Sequence, residues 1–428
     1  MKKVIKKIAL LLIVFGIGVG VTLLYTNNKY KVYEEEETKQ IKKHVDTISM
    51  MLETEAGSGN YEMTTRSEWP TEGYVFNATL SKCENGGELS WDDTNKRVVM
   101  SGNVSDKCYV YFDVYVPPTV VSDVCNGGET LSTCITTLSQ NSTSSYTNIY
   151  HHDSALANGA GDNSYRYAGA NPNNFVCFGT NTTPCPTDNL YRIIGVFGNQ
   201  VKLIKYDYAT SALLGTDGDY KGTGTPNASY YKGSLTTINT YYWNKATSKN
   251  TWSESNLNKV NLNTNFINNI RSEWAAKIAE TTWKVGGNTF ANIGTQPAKT
   301  AYQNEIVSPV TTNTTDGATE YSAKIGLMYV SDYMYAASQD KWTLVGNGSA
   351  TTDYRAATSV NWMYMGFGDW TISRIADNSS SVFGMYSTGY VDYGYVGGNS
   401  GCRPSFSLLS STTYVSGSGS ASDPMVIN

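Results

Sequence analysis

The sequence predicts an α+β fold spread over several domains. An N-terminal transmembrane helix and a helical stalk come first, then a small all-β module, then a large domain of short strands, long loops and one or two helices. Three observations point that way. The first 27 residues are basic and then apolar. The next 30 are charge-patterned and almost free of glycine and proline. The rest is rich in Tyr, Thr, Asn and Gly, with turn signals between short apolar runs. A chain of 428 residues has room for about two or three domains.

Residues 1–27 form a cytoplasmic basic segment and anchor. Lys2, Lys3, Lys6 and Lys7 precede Ile8–Tyr25, a run of 18 uncharged residues. As a helix that run is about 27 Å long, close to the ~30 Å hydrocarbon core of a bilayer. The lysines then stay in the cytoplasm, and the C-terminal ectodomain is extracellular. The competing reading is a cleaved signal peptide, but Leu23–Asn28 offers no small-residue cleavage site. Gly16 and Gly20 have the spacing that lets two such helices approach.

Residues 28–59 are read as the stalk. Glu35 and Lys39 have i,i+4 spacing, and Ile41, Val45, Ile48 and Leu52 make one apolar stripe at helical spacing. Anchor and stalk together offer a route to self-association. Gly57–Asn60 reads as a flexible joint.

Residues 60–118 read as a small β module. Gly73–Phe76, Glu88–Trp91, Lys96–Met100 and Cys108–Val116 have strand character, with turn residues between them. Residues 119–164 read as a linker carrying a Cys125/Cys134 loop. The main domain spans 165–428. It opens with Asn189–Phe197, the turn Gly198-Asn199 and Gln200–Lys205, a hairpin pattern. Phe266, Ile270, Trp274 and Ile278 recur every four residues and predict a helix over Leu257–Ala279, with Asn263 or Thr264 as a cap. Lys324–Ala337 reads as a strand running into a short helix. Asp369–Arg374, Ser381–Met385 and Ser405–Leu408 are further strands.

Seven cysteines fall into three local pairs, Cys83/Cys108, Cys125/Cys134 and Cys177/Cys185, with Cys402 left over. In an exported chain they read as disulfides, and local pairing is the simplest connectivity. Cys402 reads as a buried free thiol. The spacings do not suit a metal, and no cofactor motif occurs.

The composition speaks against two function classes. A net charge of −5, with the basic cluster confined to the start, leaves no footprint for nucleic acid. An enzyme is not expected either. There are three histidines, none placed for a triad, although Gly398–Gly401 superficially resembles a nucleophile turn. Asp217-Gly-Asp219 fails calcium-loop spacing at Lys221. Asp332, Asp353, Asp369 and Asp392 read as exposed loop acids. The 32 tyrosines suit a binding surface, because tyrosine offers large contact area at low entropy cost.

The residues Trp362, Trp370-Thr-Ile-Ser-Arg374, Val382-Phe-Gly-Met385, Gly389 and Gly401-Cys-Arg-Pro-Ser-Phe-Ser-Leu408 resemble the ending of bacterial C-type-lectin-like domains, including the sulfatase-modifying-factor-like branch. The chain is also similar to surface proteins of gut Gram-positive bacteria that carry Asn189-Leu-Tyr-Arg-Ile-Ile-Gly-Val-Phe197 and end like Gly417–Ile427. The resemblance covers about Tyr165–Asn428 and implies a C-type-lectin-like domain. The family's oxidising branch uses a cysteine pair near this end. Only Cys402 stands here, where the family usually has an apolar residue, so that activity is not carried over. Some members display variable aromatic and polar residues before the last strand. By that resemblance Trp362, Tyr364, Tyr386, Tyr390, Tyr393, Tyr395 and Asn399 form a ligand face. The expected function is a membrane-anchored extracellular binding or adhesion protein for a glycan or a protein. The alternatives are a pilin-like or surface-assembly subunit and an extracellular enzyme.

Overall fold

A computed structural model describes residues 47–71, 73–101, 106–115, 121–140, 148–310 and 318–428. The chain divides into two compact units, Met1–Pro117 and Pro118–Asn428. The predicted anchor at 8–25, the Gly16/Gly20 pair and the stalk up to residue 46 lie outside the described residues.

The α+β expectation with a helical stalk is not met. Among the described residues strands outnumber helices, the helices are short, and none is long and apolar enough to cross a membrane. The last part of the expected stalk is a strand, β1 (Thr47–Glu53). Its Ile48, Met50 and Leu52 alternate, a pattern that serves a strand as well as a helix. β1 pairs in parallel with β7 (Lys107–Val114) from Thr47↔Lys107 to Leu52↔Phe112. Pairing places Met50 in a small core with Val110 and Phe112, which a lone polar helix could not provide. The expected joint is the turn between β1 and β2 (Tyr61–Met63), where Gly57 and Gly59 adopt φ of +70° and +66°.

The rest of the first unit follows from turn chemistry. β3 (Tyr74–Phe76) and β4 (Lys82–Cys83) both pair with β7, and β5 (Glu88–Asp92) pairs with β6 (Arg97–Ser101) as a separate hairpin. The Cys83–Cys108 disulfide ties β4 to β7.

In the second unit, the stretch read as a linker is part of the core. The helix Leu131–Gln140 buries Leu131, Cys134, Ile135 and Leu138 in one stripe, and Cys125 is bonded to Cys134. β8 (Ile149–His151) and β9 (Tyr165–Tyr167) join the main sheet, whose order is β18-β23-β12-β11-β9-β8. Here β11 is Leu190–Phe197, β12 is Gln200–Lys205, β18 is Ile325–Gly326 and β23 is Ser405–Ser407. β10 (Phe175–Cys177) pairs with the other part of β11, and Cys177 is bonded to Cys185. The β11–β12 hairpin turns at Gly198, φ +62°, a conformation that favours glycine. β11 and β12 are buried almost throughout, as expected of strands covered on both faces.

Smaller sheets accompany this core. β13 (Tyr220–Gly224) and β14 (Ile238–Tyr242) join β22 (Asn399–Ser400). β15 (Thr281–Lys284) pairs with β17 (Glu320–Ala323). β16 (Gly287–Asn288), β19 (Asp369–Ile375), β20 (Ser381–Met385) and β21 (Val391–Tyr395) form a four-stranded sheet in that order. The predicted helix over Leu257–Ala279 is broken instead. A π-helical stretch, Leu257–Phe266, is followed by short helices at Ile267–Asn269 and Ser272–Ala275, with extended backbone at Ile270. The apolar stripe is still buried. Buried asparagines tie the wide helix to its neighbours: Asn261 donates to the Leu214 carbonyl and Asn263 to that of Ile325.

Charged groups are also buried here. Arg166 pairs with Asp162 at 2.6 Å and with Asp332 at 3.7 Å, and Lys202 bonds Asp332 at 2.6 Å. His152 accepts a hydrogen bond from the Ala160 amide through Nδ1. Burial, and then the Arg166 charge, push the His152 imidazole down to about 2. Its folded value therefore lies below its unfolded one of about 6.5. Its contribution to stability is present above pH 6.5 and is lost progressively as pH falls towards 2. We predict that between pH 6.5 and 5 the native chain loses about 2 kcal/mol more than His152→Asn. Urea unfolding checks this, and parallel pH curves would refute it.

Candidate functional site

Two cavities open beside the segment Trp362–Trp370, and together they take in six of the seven residues expected on the ligand face. The first is a groove of ≈ 500 Å³ along the β20–β21 hairpin. Tyr386, Tyr393 and Tyr395 line it and are 43 %, 49 % and 51 % exposed. Exposed Asn399 also lines it, held by the pairing of β22 with β14. Tyr393 packs edge-on against Phe290 at 4.9 Å, which limits its rotation.

The floor of the groove is made by glycine. Trp370 lies across Gly384 and Gly394, and its indole N–H donates to the Tyr241 carbonyl at 2.7 Å. A Cβ at Gly394 would stand 2.7 Å from the Trp370 ring. Glycine is thus required for the indole to lie flat under the hairpin.

The second cavity, of ≈ 640 Å³, is walled by Trp362, Tyr364, Asn361, Arg192 and Lys232. Trp362 and Tyr364 therefore do not belong to an exposed face, being only 4 % and 6 % accessible. The Trp362 indole donates to the Tyr167 carbonyl and the Tyr364 hydroxyl to that of Ser387, a groove residue. Burial pushes the Tyr364 phenol up to about 12. Tyr390 lines neither cavity. Its ring packs tilted against that of Tyr386 at 5.0 Å and lies under the Arg355 guanidinium at 4.6 Å.

Arg192, Lys232 and Phe367 were not singled out in the sequence. Arg192 did leave a signal, a charge inside the apolar strand Leu190–Phe197. Lys232 and Phe367 left none, because loops separated in sequence bring them to the cavities.

Three of the four acids read as exposed are not. Asp332, Asp353 and Asp369 are 3 %, 0 % and 1 % exposed. Asp332 joins Lys202 and Arg166, Asp353 pairs with Arg355 at 2.6 Å, and Asp369 pairs with Arg403 at 2.5 Å. Asp219 accepts the Lys245 and Leu257 amides, a structural use. Cys125, Glu129 and Cys134 have ligand-type atoms within 4.8 Å of one another, but the two sulfurs are joined to each other. Cys402 is a buried thiol, which burial pushes up out of reach of the thiolate form.

No family model, no curated protein and no solved structure matches the chain.

The glycine floor carries a prediction. Gly394→Ala forces the Trp370 ring off the hairpin and destabilises the domain by about 1–3 kcal/mol. A thermal melt checks it, and an unchanged melting temperature would show that the indole has room to move.

Proposed function

We propose that this chain is an exported binding protein that presents the groove of Tyr386, Tyr393, Tyr395 and Asn399 to a glycan. The observation that carries this reading is three half-exposed tyrosines around one groove on a hairpin held from beneath by Trp370. Tyrosine rings give a sugar's C–H face a flat surface, and their hydroxyls with the Asn399 amide offer hydrogen bonds to its hydroxyls. A rigid support lowers the ordering cost of binding. Export is supported by three disulfides, which form and persist in oxidising compartments. It is also supported by the basic and then apolar N-terminal sequence. The C-type-lectin-like resemblance around Gly401–Leu408 favours the same function. Binding is favoured over catalysis because Asp332, Asp353 and Asp369 are engaged in ion pairs.

The test is a glycan panel probed with the native chain and with Tyr393→Ala/Tyr395→Ala. Both side chains project from the hairpin, so the variant should melt with the native protein. Its affinity for any glycan hit should fall about tenfold or more, the loss expected for two aromatic contacts. A hit retained in full by the variant would place binding elsewhere. Binding to a protein from the same screen, lost with the same two tyrosines, would keep the groove and change its ligand.

A further inference from the structure

We propose that the second cavity, walled by Arg192, Lys232, Trp362 and Tyr364, is a separate binding site for a carboxylated sugar. The argument starts from an uncompensated charge. Arg192 is 6 % exposed and projects from the middle of an apolar strand. Its guanidinium lies 4.3 Å from the Phe175 ring centroid and 4.7 Å from that of Trp362.

All its hydrogen bonds go to neutral acceptors. Nε donates to Asn174 Oδ1 at 2.6 Å, Nη2 to the Pro172 carbonyl at 3.0 Å and Nη1 to the Trp362 carbonyl at 3.4 Å. A guanidinium has five N–H groups, so one remains on each terminal nitrogen. Among the described residues no carboxylate pairs with it. Two other buried arginines of the same domain are each given one: Arg166 has Asp162 and Arg403 has Asp369. Burying a charge without a carboxylate partner is costly, and an anionic ligand in the cavity would supply the counter-charge.

The cavity repeats the same sign. Lys232 lines it as an exposed second cation, and no Asp or Glu is among the described residues around it. Burial pushes the Arg192 guanidinium down to about 9, so it remains charged at neutral pH.

The ligand class follows from the donors and the walls. One N–H on each terminal nitrogen matches the two oxygens of a planar carboxylate. At ≈ 640 Å³ the cavity falls within the range of about 300–1,000 Å³ usual for small-molecule sites, well beyond what an inorganic ion fills. Its other lining groups include Asn171, Asn173, Thr358 and Ser359 beside Trp362 and Tyr364. Amides and hydroxyls next to flat rings suit a polyhydroxylated ring better than an apolar acid. An acidic polymer is disfavoured by the chain's own net charge of −5.

Calorimetry of the full chain with sodium glucuronate and with N-acetylneuraminate tests this, with their methyl esters and sodium sulfate as controls. At least one acid should bind, with its ester at least tenfold weaker. Lys232→Ala, at an exposed position, should weaken that acid several-fold without changing the melting temperature. Arg192→Gln should abolish binding. If that variant melts early, the ester comparison and Lys232→Ala decide. Tyr393→Ala/Tyr395→Ala should bind the acid like the native chain, so this site and the groove fail or stand separately. The proposal is overturned if neither acid binds, if the esters bind as well as the acids, or if sulfate displaces the acid at equal concentration.

Discussion

Both cavities depend on one buried ion pair. Arg403 Nε donates to Asp369 Oδ2 at 2.5 Å, and the two side chains are 3 % and 2 % exposed. The same guanidinium donates through Nη2 to the Met363 carbonyl at 2.8 Å. Met363 lies between Trp362 and Tyr364, which wall the second cavity. Asp369 heads β19 and directly precedes Trp370, the floor of the groove. The cation also lies 5.8 Å from the Tyr208 ring centroid, and the Tyr208 hydroxyl donates to the carbonyl of Phe367, another groove residue. One side chain from the strand-end segment Gly401–Pro404 therefore sets both ends of the segment that separates the cavities. Burial pushes the Asp369 carboxyl up to about 6 although Arg403 pulls the other way, a measure of how dry the pair is.

The contrast between three of the buried arginines organises the rest. Arg166 and Arg403 are each closed by an acid and serve the architecture. Arg192 is closed only by neutral groups and faces a cavity. The groove shows the complementary pattern, with no charge partner to satisfy and a surface of half-exposed rings over a glycine floor. The domain thus separates rigid internal electrostatics from two differently equipped openings. On the two proposals above, a neutral sugar face and an acidic sugar are read in different places.

Much of this was legible where local pattern determines structure. The β11–β12 hairpin follows from two apolar runs around Gly198-Asn199, and β19, β20 and β23 lie where alternation and turns put them. Tyr393 and Tyr395 are placed on a ligand face by the resemblance alone, and the strand Val391–Tyr395 that exposes them shows only in the structure. What could not be read depends on partners far along the chain. β1 reads as the end of a helix because its parallel partner β7 begins at Lys107. Asp332 reads as an exposed acid because its partner Lys202 is 130 residues away. Trp362 and Tyr364 read as part of the exposed face because nothing local shows their bonds to Tyr167 in β9 and to Ser387. The broken helix after Leu257 has the same origin. Its stripe is regular, but the π-helical stretch carries asparagines that bond to carbonyls far along the chain.

The most direct test of this account is a double-mutant cycle on Arg403 and Asp369, with Arg403→Met and Asp369→Leu measured singly and together. Each single change leaves a buried charge alone and should cost about 3–5 kcal/mol in urea unfolding. The double variant should cost far less than the sum, because neither charge is then stranded. A simple sum of the two single effects would mean that the pair is not coupled, and that the segment between the cavities is held by something else.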